Sequence, residues 1–190
     1  MNTKSVMIVG VGGQGSLLAS KLLGRLLMDE GYDVKVSEVH GMSQRGGSVV
    51  TYVRFGDKVY SPIVTDGEAD VIIAFEKLEA ARYARYLKKD GLIVVNSQQI
   101  DPMPVIIGAA EYPENVLDEL TEKGVAVEAL DALSLADKAG SSKAVNIVLM
   151  GKAAKRFDIP YERWIAAIEN TVAPKFVEMN KTAFALGYNS

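Results

Sequence analysis

The chain has 190 residues, 48% of them hydrophobic and 24% charged, a length and composition typical of one globular domain with a substantial core. It contains no cysteine and a single histidine, His40, which excludes cysteine-held iron–sulfur clusters, cysteine-held zinc, disulfides, a thiol nucleophile and two-histidine metal motifs. The formal net charge of −3 argues against nucleic acid or an anionic membrane as the main partner. No apolar run has the length of a membrane span and no signal segment is apparent, so we expect a cytoplasmic protein.

The residue pattern predicts a single α/β domain over residues 1–190. Apolar and alternating runs predict strands at 5–9, 33–39, 49–55, 71–75, 92–95, 105–107 and 125–129. Residues 49–55 and 58–60 flank Gly56-Asp57 and are predicted to form an antiparallel hairpin. We therefore expect a Rossmann-like three-layer fold, with a mostly parallel sheet, an inserted antiparallel hairpin and a helical carboxy-terminal end.

Helical periodicity separates these strands. The first predicted helix, 16–30, is apolar around most of its circumference, which indicates cover on more than one side by the sheet or by a partner. The second buries Ala80, Tyr83, Ala84 and Leu87 and directs Glu79, Arg82 and Lys89 outward. Further helices are predicted at 114–123 and 133–139. From about residue 143 the pattern is purely helical, with helices at 144–157, from Pro160, and from Pro174 to near Gly187.

A glycine-rich turn joins the first strand to the first helix. We call residues 10–15 the glycine loop; its members are Gly10, Gly12, Gly13, Gln14 and Gly15, around Val11. Glycines at these positions allow a tight turn and bring backbone N–H groups and a helix amino terminus close to an anion. The loop therefore fits three roles: a dinucleotide site, which would use Glu38 for the ribose; a phosphate site for another ligand; or close packing alone.

The second polar element follows the second strand. We call residues 43–48 the polar segment; its members are Ser43, Gln44, Arg45, Gly46, Gly47 and Ser48. Backbone N–H groups at the glycines, beside the Arg45 guanidinium, predict an anion-binding pocket, and an ordinary surface loop is the alternative. Glu38 and His40 precede this segment and are the candidate catalytic or orienting residues. A serine triad is not expected because no G-x-S-x-G elbow accompanies His40, and no metal site is expected.

Together these segments resemble the gamma-type subunits of 2-oxoacid:ferredoxin oxidoreductases. The resemblance rests on GVGGQG at 10–15 and SEVHGMSQRGGSV at 37–49, and it continues through VYSP at 59–62, EAD at 68–70, NIVLMG at 146–151 and NKTAF at 180–184. The glycine loop is common to the family. The segment at 38–47 resembles in particular the branch that acts on indolepyruvate, so the likeness spans nearly the whole chain.

The resemblance implies a subunit of a complex that converts an aryl 2-oxoacid to an acyl-CoA and reduces ferredoxin, and that is inactive without its partner. Thiamine diphosphate and [4Fe-4S] clusters would belong to a larger partner subunit, and this chain alone would bind no cofactor. The glycine loop and the polar segment would then line the site for the 2-oxoacid or coenzyme A. An autonomous NAD(P)- or flavin-binding protein, a pure scaffold subunit, and a homodimer of the isolated chain remain alternatives.

Overall fold

The computed structural model describes residues 3–39 and 47–190. Its strands are β1 (Lys4–Val11), β2 (Asp33–Val39), β3 (Ser48–Gly56), β4 (Ala69–Ala74), β5 (Leu87–Asn96) and β6 (Val127–Leu130). In the described part of the chain they form one six-stranded sheet in the order β2-β3-β1-β4-β5-β6. β3 is antiparallel to both β2 and β1, whereas β1–β4, β4–β5 and β5–β6 are parallel pairs. The predicted fold class is confirmed.

Helices cover both faces of this sheet. They are α1 (Ser16–Asp29), α2 (Lys77–Tyr83), α3 (Met103–Ile106), α4 (Val116–Glu122), α5 (Ala132–Ala139), α6 (Val145–Ala154), α7 (Tyr161–Thr171) and α8 (Val177–Tyr188). One apolar core joins α1 and α5 to α8 to one sheet face, and a second core joins α2 and α4 to the other. β1 and β4 alternate their side chains between these two cores, which explains why both strands read as continuous apolar runs. No helix in the described ranges is long and apolar enough to cross a membrane.

The hairpin predicted around Gly56-Asp57 is wrong, because residues 58–60 are not a strand. Instead, β3 forms antiparallel pairs with β2 and with β1. The physical reason is that β3 pairs along its whole length with strands on both sides, so no edge remains for a third arm. Instead, the N–H of Val59 donates to Oδ2 of Asp33 at 2.8 Å, and Tyr60 is 90% exposed.

Two other predicted elements are wrong. Residues 105–107 are not a strand, because Met103–Ile106 forms the short helix α3 with Pro104 in its first turn. A short apolar run does not distinguish a strand from a helix, and here the prolines decide. Leu87 is not on the second helix but begins β5, since α2 ends at Tyr83 and a 3-10 turn, Ala84–Tyr86, follows it.

Two glycines let the carboxy-terminal helices pack together closely. A Cβ atom added at Gly151 on α6 would clash with the carbonyl oxygen of Phe184, and one added at Gly187 on α8 would clash with that of Val148. The backbones of α6 and α8 are therefore in direct contact. The start of α6 lies beside the amino end of α1, so the position of α6 fixes one wall of the site described below.

We expect Gly187→Ala to lower the free energy of unfolding by about 3 kcal/mol, because overpacking at a backbone contact forces the helices apart. Gly24→Ala in α1 is the matched control, since its Cβ would lie at an ordinary 3.6 Å from Cγ2 of Val36. That control should raise stability by up to about 1 kcal/mol through helix propensity. Urea unfolding followed by circular dichroism measures both changes, and equal effects at the two glycines would contradict this account of the helix contact.

Candidate functional site

The sheet topology creates a crevice at the carboxyl ends of β1 and β4. These strands are parallel neighbours, but β1 leads into α1 on one face and β4 leads into α2 on the other. Ligands of open α/β sheets bind where neighbouring connections diverge in this way. The glycine loop follows β1 and the segment beginning at Phe75 follows β4, so both lie at this switch point.

The glycine loop is shaped by close packing. Gly13 and Gly15 have φ angles of 104° and 85°, in the left-handed region that favours glycine. A Cβ at Gly15 would lie 2.7 Å from Nδ2 of Asn146, which donates to the Gly15 carbonyl at 3.0 Å. The loop is thus tied to the start of α6, and its conformation requires glycine whatever it binds.

Gln14 fills the space between the ends of β1 and β4. Its Oε1 accepts a hydrogen bond from the N–H of Val11 at 2.7 Å, and its Nε2 donates to the carbonyl of Phe75 at 3.1 Å. A Cβ at Gly10 would lie 2.8 Å from that Oε1, so Gly10 leaves room for the Gln14 side chain. The side chain therefore bridges the two strands and occupies the crevice at the switch point.

The geometry at Glu38 disfavours a dinucleotide site. In such sites the ribose-binding acid ends the strand next to β1. Here β3 lies between β2 and β1, which places Glu38 two strand spacings, roughly 10 Å, from the glycine-loop strand. Its Oε1 accepts a hydrogen bond from Oγ of Ser20 on α1 at 2.8 Å. The carboxylate of Glu38 is thus engaged on the α1 face of the sheet.

The structure brings the two predicted segments together where both are described. The N–H of Gly12 donates to the carbonyl of Gly47 at 2.8 Å, and Ser48 pairs with Val11 at the ends of β3 and β1. The remaining candidates of the polar segment and its flank lie outside the described residues: His40, Ser43, Gln44, Arg45 and Gly46. Their proposed roles stay predictions.

A pair of buried carboxylates, unrecognised in the sequence, adjoins Ser48. The prediction that Glu79 is directed outward is wrong, since Glu79 is 4% exposed. Two donors satisfy its carboxylate: Oγ of Ser48 donates to Oε2, and Nε of Arg82 donates to Oε1 at 3.1 Å. Glu76 caps α2 through the N–H of Glu79 at 3.0 Å. Both acids follow the predicted buried strand at 71–75. An acid directly after a buried parallel strand is the sequence signal that could have identified Glu76.

Glu76 also anchors the chain between β5 and α4. Its Oε1 accepts hydrogen bonds from the N–H of Ile100 at 3.2 Å and from the hydroxyl of Tyr112. Burial and the hydrogen bond to Glu76 raise the pKa of Tyr112, which keeps its hydroxyl protonated as a donor. The segment that carries α3 is therefore held against the end of β4.

Two cavities share Ile100 in their linings. The larger, of about 680 Å³, is lined by Gly13, Gln14, Gly15, Leu18, Gln98, Ile100, Leu133, Ser142, Lys143, Val145 and Asn146. The smaller, of about 210 Å³, is lined by Val11, Gly47, Ser48, Glu76, Leu78, Glu79, Arg82, Ile100, Pro102, Met103 and Pro104. A cavity of about 520 Å³ elsewhere, around Lys4, Asp70 and Arg156, contains no predicted site residue. Among the described residues, no group of three or more His, Asp or Glu side chains is placed to hold a metal ion.

Sequence comparison identifies the family. The model for pyruvate ferredoxin/flavodoxin oxidoreductase matches residues 5–190. The chain belongs to this family. Indolepyruvate oxidoreductase subunit IorB of Thermococcus kodakarensis is 45% identical, over 98% of this chain and 95% of its own length. The subunit of the same name from Pyrococcus horikoshii is also 45% identical, over the same 98% and 95%.

Structure comparison agrees on the fold. The gamma subunit of a keto/oxoacid ferredoxin oxidoreductase from Geobacter sulfurreducens superposes with a TM-score of 0.72 at 22% identity, covering 98% of this chain and 96% of that one. The family resemblance deduced from the glycine loop and the polar segment is therefore confirmed, and so is the expectation of an oxidoreductase family.

We expect Gln14→Leu to lower the free energy of unfolding by about 1–3 kcal/mol, because the Val11 N–H loses its acceptor at the strand end. The carbonyl of Phe75 keeps a second donor, Nδ2 of Asn96 at 3.3 Å, and contributes less to the loss. Gln99→Leu is the control, since Gln99 is exposed and its change should stay within about 0.5 kcal/mol. Equal stability of the Gln14 variant and the unsubstituted chain in thermal unfolding would contradict the bridging role.

Proposed function

We propose that this chain is the smaller subunit of a 2-oxoacid:ferredoxin oxidoreductase that acts on aryl 2-oxoacids such as indolepyruvate. The observation that carries the proposal is the 45% identity, over nearly the whole length of both chains, to subunits named for indolepyruvate oxidoreduction. The complex would oxidatively decarboxylate the 2-oxoacid to an acyl-CoA and pass the electrons to ferredoxin. The isolated chain would be inactive.

The redox cofactors would be held by a larger partner subunit. Iron–sulfur clusters are bound by cysteine thiolates, and this chain has no cysteine. Its own residues therefore do not fit a [4Fe-4S] cluster. Thiamine diphosphate, when bound by the partner, would supply the carbanion-stabilising chemistry of decarboxylation. What this chain contributes is a shaped polar surface, not a redox centre.

The glycine loop and the polar segment would provide that surface. The hydrogen bond from Gly12 to Gly47 supports this idea, because it joins the two segments where β1 ends and β3 begins. The larger cavity extends the surface toward Lys143 and Asn146, where a negatively charged part of the 2-oxoacid or of coenzyme A would find polar partners. Arg45 would neutralise that charge, and Glu38 or His40 would orient the guanidinium.

The proposal is tested by producing the chain together with its larger partner subunit. We expect the purified complex to reduce ferredoxin when it receives indolepyruvate and coenzyme A, and we expect either subunit alone to be inactive. Reduction is followed by the absorbance change of ferredoxin. Absence of activity with every 2-oxoacid offered, in a complex that carries its cofactors, would refute the proposed function.

Arg45→Ala should raise the KM for the 2-oxoacid or for coenzyme A about tenfold or more, because a charge-assisted hydrogen bond typically contributes about 1.5–3 kcal/mol. Assembly of the complex should be unaffected. Lys123→Ala, at an exposed position on the turn after α4, removes the same charge far from the proposed surface and serves as the control. Steady-state kinetics of both reconstituted variants measure these KM values. Wild-type KM values for Arg45→Ala would exclude the anion-binding role.

A further inference from the structure

The cavity of about 520 Å³ around Lys4, Asp70 and Arg156 lies at the opposite edge of the sheet from the glycine loop. We call it the amino-edge cavity. Lys4 lines it from the start of β1 and Asp70 from the start of β4, whereas the glycine loop follows the end of β1. Its volume lies within the range of about 300–1,000 Å³ that is usual for small-molecule sites. A ligand held there would be remote from the switch point, so this cavity is a second site and not an extension of the first.

The floor of the amino-edge cavity is apolar. Phe55 and Phe157 lie in it as a stacked pair, with ring centroids 6.1 Å apart and an interplanar angle of 25°. Val6, Val71 and Leu92 also line it, and all five side chains belong to the core that packs against α1. The cavity therefore opens onto the edge of that core. An apolar ligand group would displace water from this surface, which is favourable.

A bulge in β5 supplies part of the charged wall. Ala69 of β4 pairs with Leu87, but Val71 pairs with Leu92, so two steps along β4 correspond to five along β5. The extra residues lie in 88–91, and the three charged side chains of that stretch line the cavity. Bulges redirect side chains out of the regular alternation of a strand and are more frequent next to functional sites. The charged groups are therefore held over the apolar floor by the strand pairing itself.

The lining carries more positive than negative charge. It contains four basic side chains and two carboxylates, which are Lys4, Lys88, Lys89 and Arg156 with Asp70 and Asp90. Nζ of Lys88 donates to Oδ1 of Asp70 at 2.7 Å, and Oδ2 of Asp70 accepts the N–H of Ser5 at 2.7 Å. Nη2 of Arg156 lies 3.9 Å from Oε1 of Glu128, outside the cavity. Two of the four basic groups thus already have an anionic neighbour.

The remaining charges of the lining leave an excess of positive charge. Within the described ranges, no ion pair includes Lys4, Lys89 or Asp90. Two ammonium groups and one carboxylate are therefore available at the mouth of the cavity. A ligand with a single negative charge would balance them, whereas a cation would meet net repulsion. Charge and floor together describe a ligand that is apolar at one end and monoanionic at the other.

We propose that the amino-edge cavity binds a small monocarboxylate with an apolar body. The apolar body rests on Phe157 and its neighbours, and the carboxylate contacts the ammonium groups of Lys4 and Lys89. Both features are needed, because exposed ion pairs alone contribute little and an apolar floor alone does not distinguish charge. The site is independent of the proposed function, since it shares no residue with the glycine loop or the polar segment.

The binding test uses the full chain and three probes. Octanoate has an apolar body and one negative charge, octylamine has a similar body and a positive charge, and inorganic phosphate is an anion without an apolar body. We expect octanoate to bind with a Kd on the order of 1 mM, and the other two at least about tenfold more weakly. Isothermal titration calorimetry measures all three. Raising the ionic strength should weaken octanoate binding, because salt screens the lysines.

The chain contains its own reporter of where octanoate binds. Phe157 lies against Trp164, with ring centroids 5.4 Å apart, and Trp164 is the only tryptophan. Octanoate on Phe157 should therefore shift the tryptophan emission, with the same midpoint as the calorimetric titration. Binding without any change in emission would place the ligand elsewhere and overturn the proposal.

Lys4→Met and Lys89→Met remove one charge each and keep an unbranched apolar side chain. Each should weaken octanoate binding about threefold, and the double variant about tenfold. Lys123→Met, on the exposed turn after α4, is the matched control and should leave the Kd unchanged. Thermal unfolding of each variant verifies that it is folded. An unchanged Kd in the double variant overturns the proposal, as do equal affinities for octanoate and octylamine or for octanoate and phosphate, and as does the absence of octanoate binding at millimolar concentration.

Discussion

The site depends on the insertion of β3 between β2 and β1. Because β3 runs antiparallel to both neighbours, its first residue, Ser48, lies beside the last residue of β1, Val11. The same insertion moves Glu38 one strand further from the glycine loop. This strand order places Ser48 at the crevice. It also places Glu38 too far from the glycine loop to serve as the ribose-binding acid of a dinucleotide site. The shared G-x-G-x-x-G pattern does not override that geometry.

The second constraint is the burial of two carboxylates directly after β4. Buried charges are retained where hydrogen bonds satisfy them, and both acids meet that condition. Glu76 accepts from two backbone N–H groups and from Tyr112, while Glu79 accepts from Ser48 and Arg82. Together they link the start of β3, the start of α2 and the segment around α3. The smaller cavity forms between these three pieces of chain, which the two carboxylates hold at fixed positions.

Much of the fold could be predicted from the sequence, because periodicity reports local environment directly. Strands buried on both faces, such as β1 and β4, are continuous apolar runs, and Gly31 marks the end of α1. The wrong predictions fall on residues whose apolar pattern fits both a helix and a strand. Residues 105–107 are apolar but follow prolines, and Leu87 continues a helical period across the junction between a 3-10 turn and β5. At residues 105–107 the prolines decide, whereas at Leu87 the pairing with Ala69 of β4 decides.

The sequence by itself determined that this chain holds no iron–sulfur cluster on cysteine thiolates, since it has no cysteine. It also determined the family, through the glycine loop and the polar segment. Only the tertiary structure decided that Glu79 is a buried acceptor and that Ser48 donates its proton to it. These residues are far apart in the chain, and the direction of a hydroxyl proton depends on the partner that folding brings within reach. Composition and spacing carry no information about that partner.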